Sequence, residues 1–331
     1  MTDLTIRIDR HAGRITLTRP QALNALTHDM VLAIEAALDA WRADPAVRLV
    51  IFDAVGERAF CSGGDVAAAC RAAQAGDHEA VRRFFADEYH MNARIANFPK
   101  PVVAFMQGYV LGGGVGVGGH ASTRIVGATS RVAMPETAIG LIPDVGGSWL
   151  LARAPGRAGE YLGLTGARMG PGDAIFAGFA DHFIPEAEWP ALIEAMARTG
   201  EPGPLPRHAP PPAPLAGMDL SLYGRDLATI EARATGDAAE ALSRASPLSK
   251  RATLALIRAS RADRRIEQSL SREYRFAHRA TEQGDFIEGV RAQLLDRDRK
   301  PVWHAPSGPD AVERMLAPLG PRELVWPAIE A

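Results

Sequence analysis

The amino-acid sequence predicts an α/β fold with a helical C-terminal part, and three observations carry that prediction. Short apolar runs alternate with amphipathic segments through roughly the first 200 residues, the order expected when strands and helices alternate along the chain. The stretch from Glu201 to Gly217 is rich in proline and interrupts that order. From about Leu220 to Leu295 the hydrophobic pattern is helical.

The N-terminal elements follow from hydrophobic periodicity. Alternation between residues 4 and 17 around a His-Ala-Gly turn at 11–13 predicts a β-hairpin. Apolar residues then recur every three or four positions after Asn24, which predicts an amphipathic helix beginning there. The runs Leu49-Val50-Ile51-Phe52 and Val102-Val103-Ala104-Phe105 predict two short buried strands.

Residues 77–98 are expected to form a second amphipathic helix, and an acidic residue lies on its apolar stripe. Glu88 follows Phe84 by four residues and precedes Met91 by three, so all three share one helix face. Charged residues seldom occupy a core-facing stripe unless they are paired or functional. Two interpretations therefore stay open for Glu88: a buried ion pair with an arginine of the C-terminal helices, or a residue of a functional site.

Two glycine-rich turns each occur where a strand leads into a helix. The first reads Ala-Phe-Cys-Ser-Gly-Gly-Asp at 59–65, and the second contains Gly-Gly-Gly at 112–114. Backbone N–H groups at such turns can bind a developing oxyanion, and glycine lets the backbone approach a ligand closely. Gly64 and Gly113 are therefore candidate oxyanion-hole donors; the alternative is that both glycines serve only packing.

One further glycine pattern resembles a nucleotide-binding motif. Residues 114–119 match G-x-G-x-x-G, but a dinucleotide site requires a longer helix and a second strand that ends in an acid. Here Glu136 follows Met134-Pro135 rather than a strand end. The pattern therefore favours a short helix without a nicotinamide cofactor.

Two acidic residues occur in an apolar segment shaped by glycine and proline. Glu136 and Asp144 are eight residues apart, and Ile139, Leu141, Ile142 and Val145 between and beside them argue for burial. Buried acids have perturbed pKa values and are suited to acid–base or nucleophilic roles. The alternative is a surface loop whose acids cap helices.

Composition and charge exclude several classes of protein. The chain has 331 residues with 37 basic and 39 acidic side chains, and this balance excludes a dedicated nucleic-acid binder. Two cysteines, Cys61 and Cys70, form neither a disulfide framework nor part of a metal-type cluster. No window reaches the roughly 18 apolar residues that a membrane span needs, and the N-terminus lacks a signal-peptide core. We expect a soluble cytoplasmic protein without a metal or a redox cofactor.

Three segments are similar to those of a known family, the crotonase (enoyl-CoA hydratase/isomerase) superfamily. Residues 19–26 resemble its N-terminal signature, and residues 59–65 and 108–114 resemble its two oxyanion-hole turns. The resemblance implies a crotonase-like β-spiral of repeated ββα units with a helical C-terminal part. It also implies an acyl-CoA substrate, with the Gly64 and Gly113 N–H groups donating to the thioester oxygen.

One branch of the superfamily, the 3-hydroxyisobutyryl-CoA hydrolases, is the most similar. The segment from Met134 to Gly147 is very like that branch's motif, and residues 84–89 and 284–292 also resemble it. The resemblance places catalytic roles on Glu136 and Asp144, and it places the substrate-binding positions on the four residues Glu88, Gly113, Glu136 and Asp144. CoA then arrives as part of the substrate, and no separate cofactor is implied.

One difference from the hydratases of the superfamily distinguishes hydrolysis from hydration. Those enzymes carry a second catalytic glutamate two residues after the glycine triplet, where this chain has Gly116. The sequence therefore predicts hydrolysis rather than hydration. The resemblance implies that the substrate is a short 3-hydroxyacyl-CoA, namely 3-hydroxyisobutyryl-CoA of valine breakdown. The alternatives are an enoyl-CoA hydratase or isomerase acting on another acyl-CoA, and a nonenzymatic acyl-CoA-binding subunit.

The predicted organisation has three parts. Residues 1–200 form an acyl-CoA-binding core, residues 201–217 a proline-rich linker or loop, and residues 218–331 a helical C-terminal part. Neither a nucleic acid nor a membrane is an expected partner. The sequence is compatible with a homo-oligomer and leaves the oligomeric state open.

Overall fold

The computed structural model describes residues 3–306 and 308–326. Within these residues the strands form two sheets. Listed in chain order, the strands are β1 (Leu4–Asp9), β2 (Ala12–Leu17), β3 (Leu49–Ala54), β4 (Ala59–Cys61), β5 (Val102–Met106), β6 (Tyr109–Leu111), β7 (Thr123–Val126), β8 (Arg131–Ala133) and β9 (His182–Phe183).

The helices lie between and after these strands. They are α1 (His28–Arg42), α2 (Val66–Gln74), α3 (His78–Ala96), α4 (Gly113–Gly118), α5 (Gly147–Arg153), α6 (Ala158–Thr165), α7 (Pro171–Phe176), α8 (Trp189–Thr199), α9 (Leu227–Arg233), α10 (Gly236–Arg244), α11 (Pro247–Ser260), α12 (Ile266–Gln283), α13 (Phe286–Val290) and α14 (Pro309–Leu316). No helix of the described residues is long and apolar enough to cross a membrane.

From β3 onward, strands that follow each other in sequence alternate between the two sheets. The larger sheet has the order β1-β2-β3-β5-β7-β9, and the smaller has the order β4-β6-β8. Among the paired strands of the described residues, β1 and β2 are antiparallel and the other pairs are parallel. Each repeat between β3 and β8 therefore places one strand in the larger sheet, the next in the smaller sheet and a helical segment after it. This is the repeated ββα architecture that the sequence predicts.

The chain forms two compact units, each assembled from three separate segments. The first unit contains the chain up to Asp65, then Arg94–Met134 and Arg168–Asp219; the second contains Val66–Ala93, Pro135–Ala167 and the chain from Leu220 onward. The sequence-based division into 1–200, 201–217 and 218–331 stays a prediction, and its residues 1–2, 307 and 327–331 lie outside the described residues.

Each unit has its own apolar core. In the first unit, α8 packs on the larger sheet, where the rings of Trp189 and Phe105 lie 5.5 Å apart in a core that also includes Leu49, Ile51 and Ile125. In the second unit, a core of helices forms around the five buried residues Leu164, Tyr223, Ile230, Leu242 and Leu254.

The N-terminal hairpin is confirmed, whereas the predicted start of the first helix is wrong. Asn24 has a φ of +55° and lies in the turn before α1. The helix begins at His28, because the Thr27 hydroxyl accepts the Met30 N–H (3.2 Å) as an N-cap. The buried Asn24 amide instead donates to the carbonyl of Ala59 (2.9 Å), which fixes the start of β4.

The proline-rich stretch belongs to the first unit. It has no helix or strand before a 3₁₀ turn at Pro214–Gly217, in agreement with the expected loop. The Leu215 N–H donates to Asp173 Oδ1 (2.8 Å), and a side chain at Gly172 would meet the carbonyl oxygen of Pro211 at 2.2 Å. These contacts tie the stretch to α7.

Candidate active site

The two predicted glycine turns lie side by side in the first unit. Cys61 pairs with Val110 in the parallel register of β4 and β6, so the turns that follow these strands leave the same edge of the smaller sheet. A β-carbon built on Gly63 would lie 3.4 Å from the carbonyl oxygen of Leu111 and 3.8 Å from the nitrogen of Gly113. Strand pairing therefore brings together two segments that are some 50 residues apart in sequence.

Both candidate donors have backbone N–H groups outside regular pairing. The Leu26 N–H donates to the Gly63 carbonyl (2.9 Å), and the Asp65 N–H donates to the Leu26 carbonyl (2.7 Å). In this parallel pairing the Gly64 N–H takes part in neither hydrogen bond. Gly113 is the first residue of α4, where N–H groups have no partner within the helix. Both groups are suited to the predicted oxyanion role, which stays a prediction.

The helix after the second turn is made only of glycine and valine. A β-carbon at Gly114 would lie 2.2 Å from the carbonyl oxygen of Cys61, so the packing interpretation holds for this glycine. Gly116 is buried in the same helix, and α4 contains no titratable side chain. The helix spans six residues, so the expected short helix is confirmed.

The acidic residues meet in the second unit. Glu88, Glu136 and Asp144 are 2%, 6% and 4% exposed, so the surface-loop alternative for the last two is wrong. Burial raises the pKa of each carboxyl, and the Asp144 carboxylate further raises the pKa values of Glu88 and Glu136. The structure therefore brings together the three acids that the sequence singles out.

Asp144 has a hydrogen-bond donor of its own. The Tyr89 hydroxyl, fully buried on α3, donates to Asp144 Oδ2 over 2.7 Å. Burial raises the pKa of Asp144 to about 7, while the Tyr89 hydrogen bond opposes that rise by stabilising the carboxylate. Asp144 thus changes protonation near neutral pH.

Glu136 lies on a 3₁₀ turn, Glu136–Ile139, held by close packing. The Leu141 N–H donates to the Glu136 carbonyl (3.1 Å), and Gly140 closes the turn with a φ of +72°. A β-carbon at Gly140 would lie 2.3 Å from the carbonyl oxygen of Asp285, so glycine is required there. Among the described residues, the buried Glu136 Oε2 has no hydrogen-bond partner.

Glu88 is buried without a compensating cation. Its Oε1 has no hydrogen-bond partner in the part of the chain that the structure describes, and no arginine of those residues forms an ion pair with it. The ion-pair interpretation is therefore wrong, and an unsatisfied carboxylate oxygen remains beside Asp144. An unpaired buried acceptor is costly unless a ligand supplies a donor.

A fourth acid belongs to this cluster and was missed by the sequence-based interpretation. Glu273 on α12 is 0% exposed, and burial raises its pKa to about 7 against the opposing hydrogen bonds from Ser148 and Gly146. It lies three residues after Leu270 and four before Ala277, both buried. An acid on an apolar stripe is the signal that identified Glu88, and it would have identified Glu273.

The acids of the described residues are not accompanied by a metal-binding group. Over residues 3–306 and 308–326, no group of three or more His, Cys, Asp or Glu side chains is arranged to hold a metal ion. The cluster is suited to proton transfer and to attack on a carbonyl carbon.

Comparison with known proteins identifies the family. The family model described as enoyl-CoA hydratase/isomerase matches residues 12–208 and 224–318. The protein belongs to the enoyl-CoA hydratase/isomerase family, and its fold is the crotonase fold.

Individual relatives are more specific. The chain is 33% identical to the mitochondrial 3-hydroxyisobutyryl-CoA hydrolase of Gallus gallus, over 97% of this chain and 90% of the relative. It is 36% identical to 3-hydroxyisobutyryl-CoA hydrolase 1 of Arabidopsis thaliana, over 87% of this chain and 83% of the relative. A crystal structure described as an enoyl-CoA hydratase from Rhodobacter sphaeroides 2.4.1 is 53% identical, covers 98% of this chain and 100% of its own, and has a TM-score of 0.94.

Proposed function

We propose that this protein hydrolyses the thioester of 3-hydroxyisobutyryl-CoA to 3-hydroxyisobutyrate and CoA, a step of valine breakdown. The observation that carries the proposal is the buried pair Glu136 and Asp144, two carboxyl groups suited to activating water. The curated relatives named 3-hydroxyisobutyryl-CoA hydrolase support the same reaction.

The name of the solved relative raises hydration as the second candidate reaction. The family's hydratases use a glutamate two residues after the glycine triplet, and here Gly116 stands on a helix without any titratable group. Hydrolysis requires no acid at that position, because water or a carboxylate attacks the carbonyl carbon directly. The absence of this acid from α4 favours the hydrolase.

The two glycine turns supply the electrostatic part of the proposed reaction. As the nucleophile adds, negative charge develops on the thioester oxygen, and preorganised N–H donors stabilise it. We assign this role to the N–H groups of Gly64 and Gly113.

Glu136 and Asp144 supply the proton-transfer part. In one route, ionised Glu136 takes a proton from water as the water oxygen bonds to the carbonyl carbon. The C–S bond then breaks, and the departing CoA thiolate takes up a proton. In the other route, the Glu136 carboxylate itself attacks the carbonyl carbon, the C–S bond breaks and CoA departs, and water then cleaves the resulting anhydride to release the acid and restore Glu136. In both routes Asp144, oriented by Tyr89, positions the water or transfers the proton.

The raised pKa values predict an unusual acid limb in the pH profile. A general base with an ordinary carboxyl pKa would keep full activity down to about pH 5. Here we expect kcat/KM to fall as the pH is lowered through about 7, because burial raises the pKa of the Asp144 carboxyl to about 7 and this group then becomes protonated. Tyr89→Phe removes a donor that stabilises the Asp144 carboxylate, so the limb should move to higher pH by roughly 0.5–1 unit. Initial rates of thiol release between pH 5 and 9 test both statements; an unshifted limb in the variant would contradict the role of Tyr89.

Glu88 is expected to recognise the 3-hydroxyl of the substrate. Its unpaired buried oxygen needs a donor, and a site built to bind a hydroxyl discriminates strongly against analogues that lack it. The wild type should therefore prefer 3-hydroxyisobutyryl-CoA over isobutyryl-CoA. Glu88→Ala should narrow that preference by lowering kcat/KM mainly for the hydroxylated substrate. An unchanged ratio in a folded variant would exclude hydroxyl recognition by Glu88.

A panel of acyl-CoA substrates tests the proposed function directly. Free thiol and loss of enoyl absorbance are measured in parallel on 3-hydroxyisobutyryl-CoA, isobutyryl-CoA and crotonyl-CoA. Thiol release from the first substrate without hydration of the last supports the hydrolase. Rapid loss of enoyl absorbance without thiol release indicates a hydratase, and binding without either signal indicates an acyl-CoA-binding subunit.

A further inference from the structure

The side chain of Glu273 binds the backbone that immediately follows Asp144. Its Oε2 accepts the Gly146 N–H (2.8 Å), and its Oε1 accepts the Ser148 N–H (3.0 Å) and the Ser148 hydroxyl. All three donors converge on one fully buried carboxyl group from an element more than 100 residues further along the chain.

The turn that Glu273 holds has a strained backbone. Val145 has a φ of +52°, a conformation that β-branched residues rarely adopt, and Gly146 follows at +79°. The turn is closed by the Gly147 N–H, which donates to the Asp144 carbonyl over 2.6 Å. Strained backbone of this kind persists only where surrounding contacts enforce it, and the Glu273 hydrogen bonds do so here.

We propose that Glu273 is a positioning residue for the reaction: by holding the turn 145–148 in its strained conformation, it fixes the carboxylate of Asp144. The inference rests on the proposed hydrolase function and deepens it, because it adds a residue that acts on the reaction through the turn that follows Asp144. Displacement of a catalytic group by about 1 Å costs on the order of a hundredfold in rate.

The isosteric variant Glu273→Gln tests the proposal. A glutamine can accept through only one atom, and its amide nitrogen would face either the Gly146 or the Ser148 N–H, so one of the two backbone contacts is lost. We expect kcat for thiol release to fall by about a hundredfold, with a much smaller change in KM.

Glu160→Gln is the matched control. Glu160 is also 0% exposed and lies in the same unit, but it pairs with Arg157 and Arg261 rather than with the Asp144 turn. We expect this variant to lose stability while keeping kcat within about threefold of wild type. Equal losses of kcat in the two variants would show a general effect of disturbing a buried acid and would overturn the proposal.

A double-mutant cycle with Asp144→Asn separates positioning from a merely structural role. If Glu273 acts through Asp144, adding Glu273→Gln to Asp144→Asn should cause little further loss of kcat, whereas independent effects would multiply. Circular dichroism confirms that each variant is folded at the assay temperature. A folded Glu273→Gln variant with near-normal kcat, or multiplicative losses in the cycle, overturns the positioning role of Glu273 but leaves the proposed function intact. Wild type that releases no thiol from 3-hydroxyisobutyryl-CoA overturns the proposed function as well.

Discussion

Replacing Glu136 with glutamine is expected to abolish thiol release from 3-hydroxyisobutyryl-CoA. The substitution keeps the shape of the side chain but removes the carboxylate that is proposed to take a proton from water or to attack the carbonyl carbon. Loss of a general base costs about 10²–10⁴ in rate, and loss of a nucleophile costs at least as much. Single-turnover and steady-state thiol release, followed with a chromogenic thiol reagent, measure the effect.

The stability of the same variant gives an independent readout. Glu136 is buried, its pKa is raised by burial, and its Oε2 lacks a partner among the described residues, so folding gains little from its charge. A neutral glutamine should therefore leave the thermal midpoint near or above that of wild type at pH 8, because the burial that raises the pKa of this carboxyl disfavours the folded state at that pH. A folded Glu136→Gln variant that still releases thiol at more than a tenth of the wild-type rate would remove Glu136 from the chemistry.

Local sequence was sufficient to predict those parts of the site that lie within single turns. The segment around Glu136 and Asp144 and the two glycine turns each contain their own determinants: apolar neighbours, helix starts and positions such as Gly140 where no side chain fits. Glu88 was found because its helix periodicity is clear over nearly five turns. These features depend on residues within a few positions of one another, which a sequence displays directly.

Long-range contacts account for most of what the sequence did not reveal. The partner of Asp144, Tyr89, is 55 positions away, and Glu273 meets Gly146 across 127 positions. The start of α1 was misplaced for a related reason: the Asn24 side chain bonds to Ala59, a tertiary contact that outweighs the local helical pattern. Periodicity indicates which face of a helix is buried, but it does not indicate which side chain lies opposite.

In the glycine turns the proposed catalytic contribution comes from backbone N–H groups rather than from a titratable side chain. The largest loss of turnover that we expect from a substitution there is at Gly113. Gly113→Val adds a side chain where the N–H group is proposed to contact the thioester oxygen, so the substrate can no longer approach the donor. Loss of one such donor costs about 3 kcal/mol in the transition state, on the order of a hundredfold in kcat.

Three companion variants make the test of Gly113 specific to the oxyanion role. Gly170→Ala in the same unit is the control, since a β-carbon there meets nothing within 4 Å, and we expect wild-type rates and stability. Gly114→Ala should instead lower the thermal midpoint, because its β-carbon would lie 2.2 Å from the carbonyl oxygen of Cys61. If the valine variant is unstable, Gly113→Ala provides the smaller change. The oxyanion assignment requires that a Gly113 variant lose turnover while its thermal midpoint stays near that of wild type; a folded Gly113 variant with near-normal kcat would show that this glycine serves packing, as Gly114 does.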